Sequence, residues 1–414
     1  MSKPSKKILA TAYALNPFKG SEDGMGWHFI NQIAKNHHVV AITRKNNQSK
    51  IQQYMVENPT PLYANITFLY FDLPYFLRFW KKGSRGAMLY FYLWQLTMPL
   101  FILKKKVGFD IAHNLNFHND WTPSFLWVFG KPLAWGPVGH HPKIPKDYIL
   151  PLGGKKAFFK DRLRWALKHF FWKLDPFLKL CKHKASVIFA MNSSVQHVLK
   201  LKDKIQIMPS VASEKIENNL QERTGFQVLS VGRFVPLKGF DVCICAFAQF
   251  YNSLDQKEKE QASLVLIGDG PQKEALKQLA KQLEIAHVTT FIDWIERAKL
   301  KEYYQSSRVF LFPSHEGAGM VVSEALSYGL PVIAFDNEGP GEFITHECGK
   351  KIPYTNYKQS IKAFGLALKD YFENDALWHK ASKQAQIRFA YRFDWNVRGE
   401  QLKEAYETLI VVND

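Results

Sequence analysis

Two α/β domains in tandem, each a doubly wound parallel sheet, are the fold class that this 414-residue sequence predicts. Three features carry the expectation. Strand-like and helix-like stretches alternate along the whole chain. The strands read as continuous apolar runs of the kind buried on both faces. The cycle stops near residues 209–225 and then starts again. Length agrees, since a single hydrophobic core stops growing at about 250–300 residues.

The first cycle opens with a strand at 8–15, a polar Gly-rich loop, and a helix whose Trp27, Ile30, Ile33 and Ala34 repeat at the helical period. Val39-Val40-Ala41-Ile42-Thr43 is an unbroken apolar run, and 66–71, 109–112, 132–135 and 186–190 continue the series. Pro209, the polar run 213–219 and Gly225 mark the boundary. The second cycle has strands at 226–231, 263–267, 288–291, 309–312 and 331–334. A Lys/Leu/Ala-rich helix ends at Leu283, and another starts near Met320. Domains are therefore expected at 1–212 and 213–394, with a last helix in 395–414 crossing back to the first domain.

Composition places the chain among ordinary globular proteins, with 46% hydrophobic and 22% charged residues, and excludes a disordered one. Cys181, Cys243, Cys245 and Cys348 have neither a disulfide framework nor zinc-ligand spacing. They read as buried, reduced thiols of a cytosolic protein, with Cys243 and Cys245 facing one side if they lie on a strand. The apolar stretch after Lys7 is only about eight residues long before Asn16-Pro17, which suits a buried strand better than a signal peptide. Residues 87–103 are uncharged, but they sit at the short limit for a membrane span and contain Gln95, Thr97 and Pro99. Basic flanks at both ends give no orientation, so the expectation is against a span.

The net charge of +18 lies in the first half. Residues 1–220 carry 32 Lys and Arg against 12 Asp and Glu, whereas residues 221–414 carry 23 against 25. A basic half of this kind suits an anionic lipid surface, an anionic acceptor or nucleic acid. Basic and aromatic residues interleave at 76–82 and again at 155–184. Such segments either lie in the interface of an anionic membrane or pack on the core with a solvated basic face.

Four pieces of the second domain carry chemistry, each expected at the carboxyl end of a strand, where doubly wound sheets bind ligands. The first is Gly232-Arg233-Phe234-Val235-Pro236-Leu237-Lys238-Gly239, which puts two cations on a loop entering a helix. Arg grips phosphate oxygens bidentately and Lys acts as a point charge. The second is Gly268-Asp269-Gly270-Pro271, a tight turn that lets backbone approach a ligand closely. The third runs from Pro313 through Glu316, Gly317, Ala318, Gly319, Met320 and Val321 to Glu324. Open amides at a helix N-terminus form an anion site suited to a diphosphate. Glu316 at the strand exit is placed to accept from sugar hydroxyls, and Glu324 from a ribose diol. Taken singly, these acids and cations also fit a solvated loop and a helix first turn. The fourth piece, Asn337-Glu338-Gly339-Pro340-Gly341-Glu342, closes the wall.

In this order and spacing, Gly-Arg…Lys-Gly, Gly-Asp-Gly-Pro and Glu316 followed by Glu324 resemble the family 4 glycosyltransferases across residues 226–345. The resemblance implies a GT-B fold, two Rossmann-like doubly wound domains facing across a cleft, and retaining transfer from a nucleotide-sugar. It implies that Arg233 and Lys238 bind the donor diphosphate, that Glu316 contacts the donor sugar, and that Glu324 binds the ribose. Gly24 and Gly26, in Gly20-Ser-Glu-Asp-Gly-Met-Gly-Trp27, stand in the place of the family's Gly-rich loop after the first strand. Ala134-Trp-Gly-Pro-Val-Gly139-His140-His141 resembles a Trp-Gly-Pro-Val-Gly-Gly-Gly segment of one branch, with histidines where that branch has glycines. Many members carry a functional His in this domain; His140, His113 and His118 are the candidates, and structural or solvated roles fit each as well.

The mechanism this implies is front-face attack, with the departing phosphate helping to deprotonate the acceptor hydroxyl. Positioning and charge stabilisation then supply the catalysis. No Asp-x-Asp motif is present, so neither metal nor cofactor is expected, the UDP- or GDP-sugar being a substrate. The expected acceptor is a glycan or lipid-linked molecule, with no nucleic-acid partner. The expected location is the cytoplasm or the inner face of its membrane. Two rivals remain on sequence grounds: a sugar-nucleotide epimerase of the same fold, and a basic membrane- or nucleic-acid-binding protein with a vestigial sugar site.

Overall fold

The apolar runs pair as parallel strands in two separate sheets. In this computed structural model the described residues are 5–83, 85–115, 119–214, 223 and 225–411. Residues 1–140, 167–210 and 395–414 form one unit, and residues 141–166 with 211–394 form the other.

The first unit holds a seven-stranded sheet: β1 Lys7–Ala12, β2 His38–Thr43, β3 Ile66–Tyr70, β4 Ile111–Leu115, β5 Leu133–Val138, β6 Val187–Ala190 and β7 Ile205–Ile207. Its order is β3-β2-β1-β4-β5-β6-β7, and every pairing is parallel. Helix α1, Ser21–Ala34, follows β1, and helix α2, Ala87–Lys104, covers Trp94, Met98 and Ile102 in the core with Leu9, Ile42 and Trp135. Helix α3 runs Lys146–Leu174 with a break at Gly154, whose φ is 65°, and only its part from Leu167 on belongs to this unit; α4 Pro176–Lys184 follows, capped by Asp175. No helix of the described residues is long and apolar enough to cross a membrane, α2 included.

The second unit holds six strands: β8 Phe226–Val231, β9 Ala262–Ile267, β10 Thr289–Ile292, β11 Val309–Phe312, β12 Val332–Phe335 and β13 Gly349–Ile352. The order β10-β9-β8-β11-β12-β13 is again all parallel. Chain order reverses between β8 and β11, so the loops leaving these two neighbours diverge and leave room for a ligand. Helix α5 Phe240–Asn252 follows β8, α6 Met320–Ser327 follows β11, and α7 Tyr357–Glu373 and α8 Asp375–Arg392 complete the cover.

Two expectations change: the place of residues 141–166 and the element that holds Cys243 and Cys245. Residues 141–166 lie with the second unit rather than inside a 1–212 domain. Tyr148 anchors them there: its hydroxyl is 2.6 Å from Ser360 Oγ, and its ring meets those of His315, Phe335 and Tyr354. The last helix, Trp395–Val411, belongs to the first unit, where Trp395 packs on His28 and Phe29 of α1. Cys243 and Cys245 sit on helix α5 rather than on a strand, Cys243 buried and Cys245 half-buried, and all four cysteines are free. Burial pushes the Cys181 thiol up to about 12 and that of Cys245 to about 11, which keeps both protonated and unreactive.

Candidate functional site

Strand exits in the second unit are locked together before any ligand is considered. Past β8, Phe234 N–H donates to the Asp269 carbonyl and Gln272 N–H donates back to that of Phe234, tying the Arg233 loop to the Gly268-Asp269-Gly270 turn. A Cβ on Gly268 would lie 1.9 Å from the Gly232 carbonyl oxygen, so only glycine permits this approach. Gly239, at φ 66°, begins α5 with Pro313 O at 2.1 Å from where a Cβ would stand. The loop after β12 joins through Asn337, whose Nδ2 donates to the Ser314 carbonyl at 2.9 Å and whose Oδ1 accepts from Gly339 and Gly341.

Within this frame Lys238 and Glu316 meet. Lys238 Nζ donates to Glu316 Oε1 at 2.6 Å, with the two side chains only 17% and 10% exposed. The ammonium also lies 5.0 Å from the Phe312 ring centroid. An ammonium has three N–H donors, so one on Glu316 leaves others for an incoming anion. Arg233, on the same loop, is exposed. Glu316 leads into Gly317, Ala318 and Gly319, and Gly319 precedes α6 with no side-chain cap. Amides at such a start carry the positive end of the helix dipole. Glu324, on the second turn of α6, accepts from the Tyr304 hydroxyl at 3.1 Å, and Tyr304 is itself held by stacking on Tyr328 at 5.2 Å.

Two further side chains support this loop. His315 is buried, its backbone N–H donates to the Leu237 carbonyl, and its Nδ1 is 2.7 Å from the Tyr354 hydroxyl. Burial pushes its imidazole down to about 3, so it is neutral. His141 accepts from the Gly317 N–H through Nδ1 at 3.1 Å. The sequence offered no signal for this contact, which joins residues 176 apart.

The structure thus places Gly232, Lys238, Gly268, Gly270, Glu316 to Val321 and Glu324 on neighbouring strand exits of the second unit, with Arg233 exposed on the same loop as Lys238. The remaining candidates belong to the first unit. Gly24 and Gly26 are not in a loop: both lie in α1, because the preceding chain presses on that helix. A Cβ at Gly24 would stand 2.3 Å from Lys19 O, and one at Gly26 2.3 Å from Ala14 O. His118 lies outside the described residues. His113 has both ring nitrogens engaged, Nδ1 with the Tyr406 hydroxyl at 2.6 Å and Nε2 with the Gly136 carbonyl at 2.9 Å; burial pushes it down to about 4. That is a structural role. His140, just past β5, is held by a carboxylate: its Nδ1 is 2.6 Å from Asp120 Oδ2, and Lys168 stands 3.9 Å from the other oxygen. Asp120 was not singled out from sequence. Among the described residues no three His, Cys, Asp or Glu cluster as metal ligands would.

The two parallel sheets with their helices make a fold of the GT-B kind. Residues 212–388 match the family described as Glycosyl transferases group 1. A lipopolysaccharide core biosynthesis glycosyltransferase, LpsD of Rhizobium meliloti, is 37% identical over 123 residues, 30% of this chain and 33% of that one. Sucrose-phosphate synthase from Thermosynechococcus elongatus superposes with a TM-score of 0.65 at 17% identity, covering 98% of this chain and 100% of the other. Anabaena HepE, solved with UDP and glucose, gives 0.60 at 17% identity over 97% and 100%. The two structures share the fold. The chain spans about half or less of the length of the first curated relatives it matches.

Proposed function

We propose that the protein is a retaining glycosyltransferase that moves a hexose-type sugar from a UDP- or GDP-sugar to a hydroxyl of a cell-envelope glycan, glycolipid or polysaccharide. The observation that carries this reading is the Lys238–Glu316 pair beside the uncapped start of α6, at the point where strand order reverses. A donor diphosphate laid on the first amides of α6 meets Arg233 and the spare N–H groups of Lys238. Glu316, fixed by Lys238, accepts from sugar hydroxyls, and Glu324, steadied by Tyr304, takes the ribose diol. As the sugar–phosphate bond breaks, charge builds on the diphosphate, and these donors are already in position to stabilise it. The departing phosphate takes the acceptor proton as the hydroxyl attacks from the same face. The positive charge comes from Arg233, Lys238 and the helix, so the reaction proposed needs no metal. LpsD, which acts in lipopolysaccharide core synthesis, supports an envelope acceptor, and with it peripheral contact with the inner face of an anionic membrane.

Thermal unfolding of the wild type and of Glu324→Ala with UDP, GDP and ADP tests the donor site. A ligand at a hundred times its dissociation constant adds about 2.7 kcal/mol, several degrees for units of this size. One nucleotide raises Tm in the wild type and much less in Glu324→Ala. No shift with any nucleotide would sink the reading.

A further inference from the structure

We propose that α2 and the adjoining ends of α3 and α4 form a face by which the first unit docks on an anionic lipid bilayer. This deepens the envelope-acceptor reading, on which it rests, by naming the surface and its partner. From residue 87 to Leu103, every exposed position of α2 is apolar: Met88, Leu89, Leu96, Leu100 and Leu103. At 3.6 residues per turn the four leucines fall within about 60° of one direction. The opposite side, with Trp94, Met98 and Ile102, is sunk in the core. The leucine stripe is therefore surplus to folding, and Leu100 is left 69% exposed.

A second stripe lies beside it. Leu167, Phe170 and Leu174 of α3, spaced three and four apart, are exposed, as is Phe177 of α4. The rings of Tyr92 and Phe171, 6.0 Å apart, join α2 to α3, and Tyr92 hydroxyl donates to Asp175 at 2.9 Å. Tyr92 sits one turn from Leu89 and Phe171 one turn from Leu167, so the two stripes flank a common seam. Tyr75 and Phe76, both largely exposed, lead into the start of α2. Single exposed leucines need no explanation; a seam of this many does.

Charge selects the occupant. Residues 73–109 contain seven Lys and Arg and no Asp or Glu, and residues 162–174 contain four and none. Arg85 precedes α2, and Lys104, Lys105 and Lys106 end it, so basic groups frame the apolar stripe as headgroup phosphates require. A twofold contact between copies would set this basic surface, where the nearby carboxylate of Asp175 is buried and taken by Tyr92, against itself, which like-charge repulsion opposes. The helix lies on the surface rather than across it, since none of the described helices is fit to span.

Co-sedimentation of the full chain with phosphatidylcholine vesicles, with and without phosphatidylglycerol, tests this. Binding is expected to the anionic vesicles, weakened about tenfold by molar salt. Leu96→Gln, Leu100→Gln and Leu103→Gln together should reduce it about tenfold more while Tm and its nucleotide response stay as in the wild type. Equal binding to neutral vesicles, no binding to anionic ones, or binding indifferent to the three substitutions overturns the proposal. A dimer in sedimentation equilibrium that the same substitutions dissociate would assign the face to a second copy. Because nucleotide response is read separately, loss of the docking proposal leaves the donor-site reading standing, and the reverse.

Discussion

Lys238 and Glu316 are bound to each other before any donor is present, and this shapes what the site can do. Each neutralises the other in a place that exposes little of either, so the pair is held without leaving a lone charge in the loop. Removing one partner would strand the other. The two buried histidines set a different residue-scale property. His113 and His315, pushed by burial down to about 4 and about 3, stay neutral in the folded chain, while in the unfolded chain each titrates near about 6.5. Between those values the unfolded state binds protons that the folded state refuses. Stability is therefore complete above about pH 6.5 and is lost as pH falls toward 4, by up to about 1.4 kcal/mol per pH unit for each histidine. Melting temperature measured from pH 7 to pH 4.5 should fall less steeply in the His113→Gln, His315→Gln double variant. Parallel profiles would mean that neither imidazole is shifted by folding.

At the scale of elements, the loop from Gly232 to Gly239 matters because it carries two cations and is clamped at both ends. Gly239 combines two constraints, a left-handed φ of 66° and Pro313 O where a side chain would begin. Gly239→Ala meets both obstacles, and backbone strain alone costs about 1–3 kcal/mol. The expected result is a Tm lower by several degrees and nucleotide affinity weakened along with it, since Lys238 precedes this residue; a variant with unchanged Tm and nucleotide dissociation constant would refute the clamp. Elements of this kind were largely readable beforehand. The apolar runs at 226–231 and 309–312 coincide with β8 and β11, because strands buried on both faces must be apolar throughout. The edge strands β7, Ile-Gln-Ile, and β13, Gly-Lys-Lys-Ile, went unnoticed, since one-sided pairing imposes no such pattern. Lys238, Glu316 and Glu324 stand on the strand exits and helix where local spacing put them, because those elements were legible as apolar runs and turns. Asp120 beneath His140, Tyr304 beside Glu324 and His141 on the Gly317 amide were not legible, because only tertiary contact pairs them. The glycines of 20–27 misled for a related reason: close packing of backbone on α1 calls for glycine just as a ligand loop does.

At the scale of the molecule, the chain passes between its two units more than once, and its last crossing holds the first unit together. Ser213 and Asp394 bridge, so the chain enters and leaves the main body of the second unit at neighbouring points. From Trp395 onward it returns to the first unit, burying Trp395, Arg398, Leu402, Tyr406 and Leu409 at helical spacing, with Tyr406 completing the bonding of His113. Four of those five are large apolar or aromatic side chains, each worth about 2 kcal/mol of burial. Their sum of roughly 8 kcal/mol rivals the 5–15 kcal/mol by which a whole domain is stable. The proposed donor residues, from Gly232 to Glu324, all lie in the second unit. A chain ending after Asp394 should therefore lose the first unit's cooperative transition in calorimetry while keeping a second transition that nucleotide still raises. Loss of both transitions together would show that the second unit cannot stand without the first, and would overturn the assignment of donor binding to one independently folded unit.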